Sequence, residues 1–242
     1  MAENWLTRTE LLLGEEKMQK LKQAHVLVVG LGGVGAYAAE QLARAGIGSL
    51  TIVDGDTVHS SNRNRQLAAL VSTEGHEKAG VVAERLKDIN PELNLTVINE
   101  FIKDERIPGL LDETKFDFVV DAIDTLSPKV FLIVETFRRG YPLISSMGAG
   151  GKFDPSKIEI TDISKTHNCK LARMVRKRLT KHKIKKGFTV VFSPEPINRE
   201  HVIEIEGEQN KKTTVGTISY MPGLFGMFAA SYVIRQIAGI GH

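Results

Sequence analysis

The sequence predicts a doubly wound α/β fold, a mostly parallel Rossmann-like sheet with helices on both faces. Three observations carry that expectation. Short apolar runs alternate with longer helical patterns over residues 1–150. A glycine-rich turn, Gly30-Leu31-Gly32-Gly33-Val34-Gly35, joins the first apolar run to the helix after it, and an acidic residue, Asp54, closes the next apolar run. Strand, turn, helix and strand in that order form a βαβ unit. Its crossover is right-handed, and its sheet is covered on both sides.

In chain order, Glu10 to Gln23 reads as one amphipathic helix, with Leu11, Leu12, Met18 and Leu21 on one face. His25 to Val29 is the first strand. Val34 to Ala45 has the small, helix-favouring composition of a helix closed by Gly46, and Leu50 to Val53 is the second strand. A helix from His76 to Ile89 stops at Asn90-Pro91 and is followed by a strand from Leu95 to Ile98. Phe116 to Val120 is a further strand, Lys129 to Arg139 a helix and Leu143 to Ser145 a strand. After Gly148-Ala149-Gly150-Gly151 the texture changes to polar strands, a basic stretch and a final apolar helix. A soft boundary therefore falls near residue 150, between a nucleotide-binding core (1–150) and an elaboration of the same domain (151–242). The second part is too short and polar to hold a large core alone.

Composition excludes several classes. Hydrophobic residues make up 42% and charged residues 25% of the 242 residues, ordinary globular values. The single cysteine, Cys169, forms no intramolecular disulfide and cannot build a four-cysteine zinc site, so no zinc is expected. The N-terminal stretch carries Glu3, Arg8 and Glu10 and lacks the core of a signal peptide, which points to the cytoplasm. Tyr220 to Ile240 is apolar, but Pro222, its glycines and Arg235 make a buried or dimer-interface helix the favoured reading over membrane contact.

The chemistry begins at the glycine turn. Between a strand and its helix, such a turn lets phosphate oxygens approach backbone N–H groups and the helix N-terminus, so Gly30, Gly32, Gly33 and Gly35 are candidate nucleotide contacts. The aspartate at the end of the next strand is placed for a ribose hydroxyl. This fingerprint alone leaves a nicotinamide-dependent oxidoreductase open. Asp56 and the cluster Asn62-Arg63-Asn64-Arg65-Gln66 tilt the balance, because hydride transfer has no use for them. An enzyme that splits ATP at its α-phosphate must neutralise developing negative charge, and Arg65 and Lys78 offer a forked and a compact cation. Asp121 and Asp124 end another strand, where an open α/β sheet gathers its ligands. Asp124 is the candidate magnesium ligand, and a helix-capping role for either aspartate is the competing reading.

The ordered set from Gly30 through Asp54-Gly55-Asp56, Asn62 to Gln66, Lys78 and Asp121 to Asp124 resembles the ThiF/MoeB/HesA superfamily, the bacterial relatives of ubiquitin-activating enzymes. The resemblance implies carboxylate adenylation, with ATP and magnesium held by the residues matching Asp54, Asn62, Arg65, Gln66, Lys78 and Asp124. It also implies a homodimer in which an arginine from the neighbouring subunit's N-terminal helix completes the site, and Arg8 is the candidate. Within the superfamily, Arg8 to Glu15, Gly46-Ile47-Gly48, Met147 to Gly151, Asp154-Pro155 and Ile160-Thr161-Asp162 are most similar to the tRNA threonylcarbamoyladenosine dehydratases. That branch implies a tRNA partner carrying threonylcarbamoyladenosine, whose activated carboxylate is closed into a ring from within its own side chain.

The basic tract agrees with that branch. Lys165, Lys170, Arg173, Arg176, Lys177, Arg178, Lys181, Lys183, Lys185 and Lys186 occur with no acidic residue among them. On a helix from Cys169 to Lys181 many of them project together, a footprint for RNA phosphates. Few aromatics for stacking lie nearby, Phe188 being the one at hand. Alternatives left standing are activation of a ubiquitin-like sulfur carrier, with Cys169 as thioester acceptor, an oxidoreductase, and a non-catalytic RNA-binding protein. His76 and His167 have no assigned role.

Overall fold

A computed structural model describes residues 4–102, 105–204 and 213–241. The chain runs α1 (Thr7–Leu13), α2 (Glu15–Gln23), β1 (His25–Val29), α3 (Gly35–Arg44), β2 (Ser49–Val53), α4 (Lys78–Ile89), β3 (Asn94–Ile98), α5 (Arg106–Glu113) and β4 (Phe118–Asp121). It continues with α6 (Leu126–Arg138), β5 (Leu143–Ser146), β6 (Glu159–Asp162), α7 (Lys170–Leu179), β7 (Thr189–Phe192), β8 (Val202–Glu204), β9 (Thr213–Val215) and α8 (Tyr220–Ala238).

A seven-stranded sheet has the order β3-β2-β1-β4-β5-β7-β6, parallel except where β6 runs against β7, and β8 pairs with β9 apart from it. The doubly wound architecture is the one the sequence predicts. Strand β1 shows why both faces are covered. Val26 and Val28 enter one core with Leu42 and Phe225, while Leu27 and Val29 enter the other with Leu132 and Phe192. From β1 the chain winds outward through β2 and β3, then returns to place β4 on β1's other side. That reversal opens a crevice at the carboxyl ends of β1 and β4.

Several elements differ from the sequence reading. The helix expected over Glu10–Gln23 is broken at Gly14, whose φ of +79° ends α1, and Leu11 and Leu12 are each 82% exposed. Helix α5 was not predicted, because Pro108 and Gly109 mask its pattern; Pro108 sits in the first turn, where its missing N–H costs nothing. Strand β4 begins two residues later than expected and includes Asp121. Helix α8 lies against α3 so closely that a Cβ on Gly226 would come within 2.3 Å of the Val34 carbonyl oxygen. Among the described residues no helix is long and apolar enough to cross a membrane.

Candidate active site

The glycine turn is held from two sides. Gly30 N–H donates to Val53 O (2.8 Å), Ala122 N–H donates to Val29 O (2.9 Å), and Leu31 N–H donates to Asp54 Oδ2 (2.6 Å). The ends of β1, β2 and β4 are therefore stitched into one rim. Gly35 cannot be anything larger, since its Cβ would stand 1.7 Å from Gly30 O. Gly30 has a φ of +89° and faces the Ala122 carbonyl. Gly33 packs against Pro222 of α8 and Gly32 against the Gln66 amide, so the two middle glycines serve close approach by protein as well as by any ligand.

Asp54 is the knot of this rim. Its second oxygen accepts from Asp56 N–H (2.8 Å). Burial raises its pKa, only partly opposed by the N–H groups of Leu31 and Asp56 and by Lys78. Lys78 opens α4 with 5% of its side chain exposed, and its Nζ meets Asp56 Oδ2 at 2.7 Å. A buried ammonium beside a half-exposed carboxylate is a charge held ready near a ligand surface.

The cluster after β2 folds into a short 3-10 turn. Asn62 is buried and its Oδ1 accepts from His59 N–H (3.1 Å), which fixes the turn. Arg65 Nη1 donates to Ser61 O (3.0 Å) and Asn64 Oδ1 (2.8 Å), and Asn64 in turn donates to Thr217 O (3.0 Å). Gln66 Oε1 is buried with no hydrogen-bond partner among the described residues, and the Nε2 of the same amide faces Gly32. An acceptor left unpaired beside a phosphate-type turn fits a site made for a donor-bearing ligand.

Asp124 follows the end of β4 and stands exposed at the switch point between β1 and β4. One carboxylate there suits magnesium, which takes few protein ligands and completes its shell with phosphates and water. Asp121 requires a correction. It is fully buried; its Oδ2 lies 2.8 Å from Lys129 Nζ and accepts from Ser145 Oγ (2.6 Å), and its Oδ1 accepts from Ile123 N–H (3.0 Å). It shapes the loop beneath the crevice and offers nothing to a ligand. The N-cap position of α6 is Thr125. Lys129, unnoticed in the sequence, also donates to Ile123 O (2.9 Å).

Arg8 is not brought to this rim. It is exposed on α1, whose entry at Leu6 packs on Gly46 before β2, at the sheet's opposite edge. The basic tract lies on and after α7, which turns Ala172, Val175 and Leu179 inward. Arg173, Lys177, Arg178, Lys181, Lys183, Lys185 and Lys186 are exposed and Arg176, which donates to Thr166 Oγ1, is half-buried. Arg173, Arg176, Lys177 and Lys185 line a cavity of about 440 Å³. Phe188, the aromatic at hand in sequence, is buried and offers no stacking face. Cys169 is buried at 5% exposure, which leaves a thioester acceptor little access.

The ThiF family model matches residues 6–242. The tRNA threonylcarbamoyladenosine dehydratase of Bacillus subtilis is 40% identical over 238 residues, covering 96% of this chain and 93% of its own. That of Escherichia coli is 41% identical over 246 residues, covering 95% and 91%. The crystal structure of the Escherichia coli enzyme in complex with ATP superposes with a TM-score of 0.86 at 36% identity, covering 96% of this chain and 93% of that one.

Proposed function

Because the chain belongs to the ThiF family, we propose that it is an ATP-dependent tRNA threonylcarbamoyladenosine dehydratase working in the cytoplasm. The reading is supported by Asp54 bonding the glycine turn through Leu31 N–H, by Lys78 on Asp56 and by Gln66 and the Arg65 carbonyl beside the turn, in a chain about two-fifths identical over nearly its whole length to dehydratases. The Escherichia coli relative was solved in complex with ATP and also with AMP, the nucleotide that enters such a reaction and the one that leaves after acyl transfer.

The threonyl carboxylate of the modified adenosine attacks the α-phosphorus of ATP, pyrophosphate leaves, and an acyl-adenylate forms. A nucleophile within the same side chain then attacks the acyl carbon and expels AMP. The nucleoside closes into a ring and has lost one water overall. The second step needs no enzyme nucleophile, because the attacking group is tethered beside its target. The N–H groups of Gly32 and Gly33 hold the phosphates together with Asn62 and Gln66, while Asp54, which fixes the Leu31 N–H, takes the ribose. Arg65 and Lys78 neutralise charge as the α-phosphorus is attacked. Asp124 would hold magnesium, which would supply further charge neutralisation on the phosphates. Arg8 of a second copy completes the site, a reading supported by its position away from its own crevice and by the exposed Leu11 and Leu12 beside it. The part from residue 151 onward carries the RNA, with the α7 cations on backbone phosphates.

Incubating the protein with ATP and tRNA bearing threonylcarbamoyladenosine is expected to release AMP and shorten the nucleoside mass by one water. Unchanged nucleoside in the presence of consumed ATP would overturn the acceptor, and unconsumed ATP the whole reaction.

Asp54 gives the site a pH signature. Its raised pKa means that the folded chain takes up this proton at a higher pH than the unfolded one does. This carboxylate therefore weakens folding above its folded pKa, and the penalty disappears as pH falls through it. Nucleotide binding has the opposite sign, since the neutral acid gives up an acceptor for the ribose. ATP affinity is expected to fall across the acid range, starting at a higher pH than the one at which an ordinary aspartate titrates. Calorimetric titrations across that range check this; a flat profile assigns the ribose to another residue.

A further inference from the structure

Beyond the nucleotide crevice lies an aromatic cluster that the reaction steps above leave without a role. Phe153 is 51% and Tyr220 44% exposed, and His201 is exposed beside them. The Phe153 and His201 rings meet edge-on, with centroids 5.7 Å apart and planes at 71°. Phe153 is fixed from both sides. Its N–H donates to the Glu195 carboxylate at 3.0 and 3.1 Å, the next N–H, of Asp154, donates to the same group at 3.0 Å, and its carbonyl accepts from Tyr220 Oη at 2.8 Å. Ordering the backbone of a large ring without burying the ring forgoes hydrophobic stabilisation. An exposed apolar patch held in this way marks a face that meets a partner.

Its position says which partner. Tyr220 opens α8, and Pro222 rests on Gly33. Asn64 donates to Thr217 O, and Gly151 N–H donates to Gly216 O (2.8 Å), so the stretch 216–222 ties the cluster to the glycine turn. On the other side, the loop bearing Gly148 abuts Leu171 at the start of α7, where the cations begin. The cluster thus lies between a nucleotide crevice and a basic helix.

We infer that Phe153, flanked by His201 and Tyr220, is a stacking platform for an unpaired base of the RNA substrate, one neighbouring the adenosine whose side chain is adenylated. The inference rests on the RNA reading above and deepens it. Every base has a π-face, so the platform holds a splayed loop in place without reading its sequence. The phosphates of the same strand run onto α7.

Binding of a hairpin RNA with an unmodified single-stranded loop, compared with a fully paired RNA of equal length, tests the platform apart from catalysis. The wild-type protein is expected to prefer the hairpin. Phe153→Ala weakens that binding roughly ten- to hundred-fold, the usual loss for one stacked base, while leaving duplex binding and ATP affinity unchanged. Phe153→Trp restores it. Equal binding of the hairpin by wild type and Phe153→Ala, or no preference for the hairpin, overturns the platform. A change in the oligomeric state of Phe153→Ala with RNA affinity unaltered also overturns it, and assigns the patch to contact between copies. Dehydration of modified tRNA by the wild-type protein is scored separately, so loss of the platform and loss of the RNA reading remain distinct results.

Discussion

The Lys78→Met protein is expected to form AMP about 10²- to 10³-fold more slowly than the wild type, the usual consequence of removing one preorganised charge from a developing anion. The ammonium is nearly buried, so its field is not dissipated in water, and Asp56 fixes its position at 2.7 Å. The fold should survive the change. Asp56 keeps 46% of its side chain in solvent and is hydrated once the lysine is gone. A single-turnover measurement of AMP at saturating ATP and tRNA, alongside a thermal melt, checks both halves. A rate within about threefold of wild type would remove Lys78 from the chemistry.

Lys129→Met is expected to do the reverse, damaging the fold first and the chemistry through it. Neither Lys129 nor Asp121 has any solvent-exposed side chain, so deleting the ammonium strands a carboxylate that water cannot reach. Losing one partner of such a pair costs about 3–5 kcal/mol. For a domain of this size that lowers Tm by roughly 6–20 °C. The loop from Asp121 to Asp124 also loses the Lys129 bond to Ile123 O, so ATP affinity falls with stability. Differential scanning calorimetry decides the matter, and a loss below about 1 kcal/mol would mean that the carboxylate finds another partner. Changing both residues, Asp121→Asn with Lys129→Met, is expected to recover part of the loss, because the uncompensated charge is then absent.

The two lysines also show which parts of the site were legible from residue order. The glycine turn, Asp54 and Lys78 could be read because each answers a local demand. The turn admits no Cβ at Gly35, the strand end places Asp54 beside Leu31 N–H, and the helix start places Lys78 next to Asp56. Lys129 was hidden because a lysine among apolar residues looks like the solvent edge of a helix, and only the parallel neighbours β4 and β5 bring Asp121 and Ser145 to it. For the same reason Asp121 read as a ligand when it is a foundation. Helix α5 went unseen because proline and glycine, local signs of a break, occupy its first turns. The aromatic cluster has no linear signature at all. Its rings come from positions 153, 201 and 220, joined by an edge-on ring contact and a hydrogen bond that only the folded chain creates.

The contact of Pro222 with Gly33 ties the outer wall of the phosphate turn to a helix distant from it in sequence. A ribosome-bound chain that has released the first βαβ unit therefore holds an unfinished turn, with the small-residue face of α3 still wet. Competence to grip a triphosphate arrives late in synthesis, in one step with the docking of α8. A partly made chain would be poorly placed to capture and hold ATP.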